Sequence, residues 1–508
     1  MSELLFEAFS EEIPARMQTQ TAESLLWAVQ QAIKAIMPGA NPVGEWFVTP
    51  RRIGFVIYDL PKTKVKVEEE VRGPKTSAPH AALEGFLKKY NIANEKALEI
   101  RDGYYFYEMK QEKSAIDAIR EVIEQELVKL TWPKSMRWGD YNIKWVRPLH
   151  SILCLFGGAV VPVTFGHIEA TNVTYGHRFL SPRAIKVKDF ADYRTKLQEA
   201  HVILQGRKEL IMNQVTELLR HEGISAQLVK DDELLEEVAG LVEYPVVMLG
   251  KIEQRFMTLP EEVLITTIRH HQKYLMLREP NGALAPYFII VANIKAADGG
   301  KQIIHGNQKV LRARLCDAEF FFNTDRATKL ADRVEKLAKV AFHDKIGSML
   351  EKVQGVSNLA SKLAKLVEAD PRKVTRACEL AKADLVTEMV SELPELQGIM
   401  GYHYALLDGE DPEVALAIKE HYQPQGASDS TPTSKIGAVI ALADKLYTMN
   451  QMFAIGIKPT GSKDPFALRR AALGILRIIQ DHKLGLDLAD KELGLRQDVL
   501  NFIAERSR

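Results

Sequence analysis

The sequence predicts a multidomain α+β chain, with N-terminal mixed α/β modules followed by an all-α region. Three observations predict it. The 508 residues are too many for one hydrophobic core, and the 46% that are apolar are enough for several. Up to about Asp325, runs of aromatic and β-branched residues alternate with segments whose apolar residues recur three and four apart. From about Ala327 onward the strand-like runs nearly vanish. The divisions expected from this texture are 1–170 and 171–326, both α+β, then an all-α segment 327–485, then a stub 486–508.

Trp46 to Val48, Phe55 to Leu60, Tyr104 to Met109 and Tyr287 to Ala292 are rich in strand formers and bounded by Gly, Pro and Asn. The most apolar stretch, Ile152 to Phe165, is broken by Gly157, Gly158 and Pro162 and reads as two strands and a turn. Thr21 to Met37, Ser114 to Leu130 and Arg207 to His221 read as helices. In the second region helices are expected over Lys329 to Phe342, Ser348 to Val367, Arg372 to Val390, Pro412 to Glu420, Lys435 to Ala454 and Pro465 to Asp481. Asp464 is placed to cap the last of these, with Pro465 at its first position. Gln423 to Ser434 is a Pro/Gly/Ser/Thr-rich loop. Arg496 to Arg508 begins an amphipathic helix with Val499, Leu500 and Ile503 as its apolar face.

The 67 basic and 67 acidic side chains cancel, which argues against a tail-driven nucleic-acid binder but permits a local basic face. Cys154, Cys316 and Cys378 are far apart and odd in number, so neither a disulfide framework nor a zinc ribbon is expected; a reduced, cytoplasmic protein is. The opening MSELLFEAFSEEIP has no basic leader. No phosphate loop, dinucleotide fingerprint, HExxH or GxSxG is present, so no catalytic residue and no metal site is assigned to this chain.

Several segments are too particular for plain core packing. WPKSMRWG (Trp132 to Gly139), followed by Lys144, Trp145 and Arg147, interleaves four cations with three tryptophans. It suits phosphates and stacked bases; the other reading, a Trp-rich core edge with solvated cations, is the one composition favours. TYGHRFL (Thr174 to Leu180) places His177 and Arg178 at a strand-edge turn, and such a pair is more often structural. Arg269, His270, His271 and Lys273 form a second cationic cluster poorly spaced for a metal. In GNQKVLRARLCDAEFFF (Gly306 to Phe322), Leu311, Leu315, Ala318 and Phe322 fall on one stripe and Lys309, Arg312 and Arg314 lie off it.

His343, Asp384 and Asp444 invite comparison with HD phosphohydrolases, which gather a His, a His-Asp pair and a distant Asp around a metal. The central pair is broken, because Ala383 precedes Asp384; a metal-free HD-like scaffold is expected over a hydrolase. In PTGSKDPFALRRAALGILRII (Pro459 to Ile479) a Gly-Ser-Lys turn precedes a helix, a place for an anion or an ordinary capped helix.

Together with TPRR (Thr49 to Arg52) and KADLVTEMVSELPELQGIMG (Lys382 to Gly401), these motifs resemble, in order and spacing, the beta-subunit family of heterotetrameric glycyl-tRNA synthetase. The resemblance implies an alpha2beta2 assembly in which the alpha subunit holds the class II site and uses ATP and Mg, with no cofactor on this chain. It implies partners in the alpha subunit and tRNA(Gly), and none in DNA or a membrane. It implies N-terminal modules resembling phenylalanyl-tRNA synthetase beta-subunit domains, then an HD-like helical domain. An anticodon-binding domain follows in the family, and the stub 486–508 is expected to lead towards it. Carried onto this chain, the tRNA-binding candidates are Lys134, Arg137, Trp138, Arg147, Lys463, Arg469 and Arg470, and His343, Asp384 and Asp444 are the degenerate HD remnants. The alternatives are an HD-type metal phosphohydrolase and a freestanding RNA-binding scaffold.

Overall fold

The computed structural model describes residues 2–506 apart from 63, 462 and 465. The chain divides into two units, Met1–Gly250 with Lys273–His305, and Lys251–Gln272 with Gly306–Arg508.

The first unit opens on strand β1 (Ser2–Ser10), helix α1 (Ala15–Ile36), β2 (Val43–Thr49) and β3 (Arg52–Leu60). A separate antiparallel sheet follows, β4 (Val65–Lys75), β5 (Glu99–Arg101) and β6 (Tyr104–Lys113) in the order β4-β6-β5, with α2 (His80–Lys89) against it. After α3 (Ala115–Lys129), β7 (Leu149–Phe156), β8 (Ala159–Val160), β9 (Thr164–Phe165) and β10 (Ile168–Thr171) complete the first sheet. Its order is β2-β3-β1-β7-β10-β9, with β8 paired to β7, and only β7 and β10 run parallel.

Strand β1 shows why LLFEAF has no polar face. Leu4, Phe6 and Ala8 join a cluster with Leu25, Val29 and Ile33 of α1 and Ile119 and Ile123 of α3. Leu5 points the other way, onto Phe190, Tyr193 and Leu197 of α4 (Phe190–Glu199). A strand covered on both faces must be apolar almost throughout. Glu7 is the exception, and it is fully buried. Arg52 of β3 approaches it, Nε to Oε2 3.2 Å. The same guanidinium contacts Glu243 and the Tyr175 carbonyl, and Thr174 and Tyr193 donate hydroxyls to Glu7. Burial pushes the Glu7 carboxyl above its ordinary pKa despite Arg52 beside it.

The hairpin β11 (Val173–Tyr175) and β12 (Ala184–Lys186) carries the TYGHRFL turn. Beyond it, α5 (Arg207–His221) and α6 (Asp232–Ala239) cover a four-stranded sheet of β13 (Gln227–Leu228), β14 (Val246–Lys251), β15 (Leu275–Arg278) and β16 (Leu284–Ala292), with Ile211, Val215 and Leu235 on Leu275, Leu277 and Ile289. Residues 207–221 form the helix expected of them, and Ser114 caps α3 through the Asp117 amide.

The second unit is helical: α7 (Glu261–Thr266), α8 (Lys301–Arg326, of which 306–326 belong here), α9 (Met349–Leu366), α10 (Pro371–Leu380), α11 (Glu388–Glu392), α12 (Ile399–Leu407), α13 (Pro412–Glu420), α14 (Lys435–Ala454), α15 (Leu468–Asp481) and α16 (Gln497–Ala504). Local chemistry starts many of them. Ser348 and Glu351 form a capping box on α9, Asp370 and Asp411 cap helices with Pro at the first position, and Ser434 caps α14. Residues 436–443 of α14 are all buried, so this helix is the centre that α9, α10, α13 and α15 pack around.

Three helical expectations change. Residues 331–339 form a 3₁₀ stretch, and Ala341–His343 pairs as strand β17 with β18 (Gly347–Ser348), not as part of one helix over 329–342. The helix expected over 372–390 ends at Leu380. The Asp384 carboxylate accepts the Gly398 and Gly401 amides at 2.6 and 2.9 Å, and buried Asp325 accepts those of Glu388 and Met389, so the backbone is pulled into a turn and restarts as α11. The last long helix starts at Leu468 and not at 465: Asp464 accepts the Leu468 and Arg469 amides, while Ala467 sits at φ +53°. Pro465 lies outside the described residues.

All five tryptophans lie in the first unit, so their fluorescence reports its unfolding. Arg52→Ala leaves Glu7 and Glu243 buried without their counter-charge, and is expected to destabilise that unit by about 3–5 kcal/mol in urea titrations followed by tryptophan emission. Arg52→Lys should not recover it, since one ammonium cannot replace the planar fork. In the second unit, hydrogen bonds from His403 and Lys419 hold the Glu262 carboxyl down to about 2 against its burial. The stabilisation this gives is complete above the ordinary value of 4.5 and disappears as pH falls from there to about 2. Glu262→Gln should remove that part of the acid dependence, read by helical circular dichroism.

Candidate functional site

The sequence-derived candidates fall in three places. The first is the segment after α3. Leu130 leaves the helix in extended conformation, and Trp132 then turns back onto Trp145, rings 5.0 Å apart and edge-on. Trp145 is 1% exposed and also meets Phe165, so it anchors the segment in the core under the first sheet. Met136 and Trp145 exchange backbone hydrogen bonds of 2.8 and 3.2 Å, closing residues 136–145 into a loop. Within it Trp138 is half-buried, edge-on to His167, on which Tyr141 stacks at 3.4 Å.

The tryptophans are therefore the core edge, and the cations are the surface. Lys134, Arg137 and Lys144 are exposed and make no ion pair among the described residues. Arg147 is half-buried and donates to the Val146 carbonyl at 2.9 Å. A loop fixed by ring packing and carrying free cations can hold anionic groups at set positions without ordering itself on binding.

The second place is the 459–470 turn. Thr460 and Lys463 bridge, Lys463 is exposed, and Ser462 lies outside the described residues. Arg469 donates to the Gly461 carbonyl at 2.8 Å and Arg470 to that of Gln425 at 3.4 Å. Arg477 adds bonds to the carbonyls of Gly426, Ala427 and Asp429. Arg470 and Arg477 thus clamp the 423–434 loop while Arg469 closes its own turn, and Lys463 and Arg470 are exposed and make no ion pair among the described residues.

The third place is the HD comparison. Asp384 is fully buried on glycine amides, and burial raises its carboxyl to about 6. The His343 ring packs edge-on to Phe466, with Nδ1 accepting the Lys345 amide at 3.1 Å. Asp444 faces the ammonium groups of Lys352 at 3.0 Å and Lys382 at 3.6 Å. Burial alone would raise the Asp444 carboxyl, but the two lysines hold it far below the ordinary range. Burial also brings Lys382 down to about 7. Among the described residues no group of three or more His, Cys, Asp and Glu is placed to hold a metal ion. Sequence reasoning missed Lys352, Lys382 and His421 as partners of Asp444. A signal for the first was present, since Lys352 stands four residues before Val356 on the apolar stripe of α9.

The remaining motifs are structural. His177 is fully buried, donating from Nε2 to Asn293 at 3.0 Å and accepting the Phe179 and Leu180 amides at Nδ1. Arg178 pairs with Glu11 and Glu12. Thr267–His271 is a π-helical turn. On α8 the predicted apolar stripe is buried, and Lys309, Arg312 and Arg314 are exposed, Arg312 pairing with Glu253 at 2.6 Å. No helix among the described residues is long and apolar enough to cross a membrane.

A chain of these motifs, with its cations displayed on a tryptophan-anchored loop, is of the aminoacyl-tRNA synthetase class, and a family model described as glycyl-tRNA synthetase beta subunit matches residues 4–508. The chain belongs to that family. It is 46% identical over 516 residues to a glycine–tRNA ligase beta subunit of Phenylobacterium zucineum (strain HLK1), covering 100% of this chain and 76% of that one. It is 44% identical to its counterpart in Rickettsia akari (strain Hartford), covering 96% and 73%. The HD domain of an L. monocytogenes phosphodiesterase in complex with cyclic-di-AMP aligns with 35% of this chain and 95% of its own at 13% identity, with a TM-score of 0.20, too low to bear on the fold.

Structural and surface roles separate by stability. Trp145→Ala should cost about 3–5 kcal/mol in the first unit, whereas Lys134→Ala with Arg137→Ala should stay within about 0.5 kcal/mol of the parent. Urea titration followed by the remaining tryptophans reads both.

Proposed function

We propose that the chain acts as the auxiliary beta subunit of glycine–tRNA ligase by binding tRNA(Gly) and the catalytic alpha subunit, so that the acceptor end meets the glycine and ATP site on alpha. The observation that carries this reading is the family match along residues 4–508, joined to the exposed, unpaired cations of the 132–145 loop. No catalytic residue is assigned here. ATP and Mg are used on the alpha subunit, and this chain carries no cofactor of its own. Its contribution is positional: holding two reactants in register removes translational and rotational freedom from the charging step, worth up to about 7–11 kcal/mol in well-aligned cases.

The assembly is an alpha2beta2 tetramer in the cytoplasm, with no DNA or membrane partner. Its modules are 1–170 and 171–326, akin to phenylalanyl-tRNA synthetase beta-subunit domains, 327–485 as an HD-like scaffold, and 486–508 leading onward. Lys134 and Arg137 contact phosphate, Trp138 and Arg147 shape the loop, and Lys463 with Arg469 and Arg470 forms a second contact zone. His343, Asp384 and Asp444 keep a scaffold role. The phosphohydrolase alternative is disfavoured by the ammonium groups that face Asp444.

The test is tRNA binding by the assembled complex across a salt series. Lys134→Glu with Arg137→Glu is expected to weaken binding at least about tenfold and to flatten the slope of log K against log salt by about two. Unchanged affinity and slope would remove the loop from the tRNA interface.

A further inference from the structure

Helix α1 carries two stripes. One is buried: Leu25, Val29 and Ile33 join Ile119 and Ile123 of α3 in the core. On the opposite face Arg16, Gln20, Glu23 and Trp27 follow at i, i+4, i+7 and i+11, which sets them in a row. Trp27 is 64% exposed and meets no ring or cation among the described residues. Folding gains nothing from an indole left in water, whereas a partner that covers it gains a large apolar face.

The row borders a groove of about 830 Å³ whose other wall is Glu126 and the chain from Lys129 to Pro133. Sites that enclose small organic groups span about 300–1,000 Å³. Gln20, Ser24 and Thr131 line this one with side chains that make no hydrogen bond among the described residues. Glu126 is paired with Lys129 at 2.7 Å, which leaves Glu23 and Arg16 as the unpaired charges of the lining. From Pro133 the wall runs on into the exposed Lys134 and Arg137, so cations outnumber carboxylates at this end.

A ring to stack on, free hydrogen-bonding groups and flanking cations are what an unpaired nucleotide requires. Bases stacked within a duplex have no free face to offer the indole. A helix from a protein partner needs an apolar row to lie against, and here Arg16, Gln20 and Glu23 occupy that row.

We propose that the groove between α1 and the end of α3 takes an unpaired nucleotide of bound tRNA, with the base stacked on Trp27 and the flanking phosphates held by Arg16 and Lys134. The groove adds a base contact to the tRNA-binding reading on which it rests, where Lys134 and Arg137 alone contact phosphate.

The test measures tRNA(Gly) binding by the assembled complex across a salt series, with Trp27→Leu and Trp27→Tyr. Trp27→Leu is expected to weaken binding about tenfold, as loss of one base–aromatic stack does. The slope of log K against log salt should stay as in the parent, because no phosphate contact is lost. Trp27→Tyr keeps a ring and should recover most of the affinity, and Arg16→Glu should flatten the slope by about one. Trp27 is exposed, so both variants should match the parent in urea titration and in co-purification with the alpha subunit. Unchanged affinity in Trp27→Leu would overturn the proposal. Equal affinities of the Leu and Tyr variants would do so too, since stacking would then play no part. Loss of the alpha subunit from Trp27→Leu would give the groove to that partner instead, and overturn it. The loop reading fails separately, through unchanged affinity and slope in Lys134→Glu with Arg137→Glu, and a complex that binds no tRNA would remove both.

Discussion

The first unit depends on one buried interaction, the Arg52 guanidinium held between Glu7 and Glu243 with no exposure to solvent. A charge removed from water costs several kcal/mol unless it is paired and hydrogen-bonded throughout. Here Nη1 and Nη2 of Arg52 are hydrogen-bonded and Nε meets Glu7 as an ion pair alone, and five segments supply these partners at once. Strand β1 supplies Glu7, β3 supplies Arg52, β11 supplies Thr174 and the Tyr175 carbonyl, α4 supplies Tyr193, and the chain before β14 supplies Glu243. Thr49 adds a hydroxyl to Glu243 at 2.7 Å, and Asn293 accepts the Glu243 and Tyr244 amides as well as the His177 ring N–H. Each segment is placed by the others, so the surface turns attached to them inherit a fixed position.

That constraint explains why motifs that look like ligand-binding signatures are interior. The Arg52 of TPRR and the His of TYGHRFL are spent on the network and its neighbour, and Arg51 donates to the Ser10 carbonyl beside it. The tryptophans of WPKSMRWG are likewise core, through Trp132, Trp145 and Phe165. What remains for a partner is the set of cations these groups hold in place. Lys134 and Arg137 stand on the tryptophan-anchored loop, and Lys463 stands on a turn pinned by Asp464 and Arg469. Rigid placement of a few charges suits an auxiliary subunit that positions a polyanion for chemistry done elsewhere.

Much of the architecture was legible in local chemistry. The period of apolar residues predicted α5 over 207–221 and the buried stripe Leu311, Leu315, Ala318 and Phe322 of α8. Ser114 marked the start of a helix before any contact was known. Long-range pairing was not legible. Arg52 and Glu243 are 191 residues apart, and no spacing rule joins them. The break after Leu380 depends on Asp384 finding two amides 14 and 17 residues downstream, which reads as a helix until the partner is known. The HD comparison found Asp444 but assigned it to His343 and Asp384, whereas its neighbours are two lysines and His421, which periodicity counts as exceptions to an apolar stripe.

The central claim is that this chain enables charging without performing it. The most direct measurement is the rate of glycine attachment to tRNA by purified alpha subunit with and without the chain, alongside the chain alone. The account predicts glycyl-tRNA only when both proteins are present, and no glycine-dependent ATP turnover by the chain alone. Charging by the alpha subunit at the same rate without this chain, or adenylate formation by the chain on its own, would contradict it.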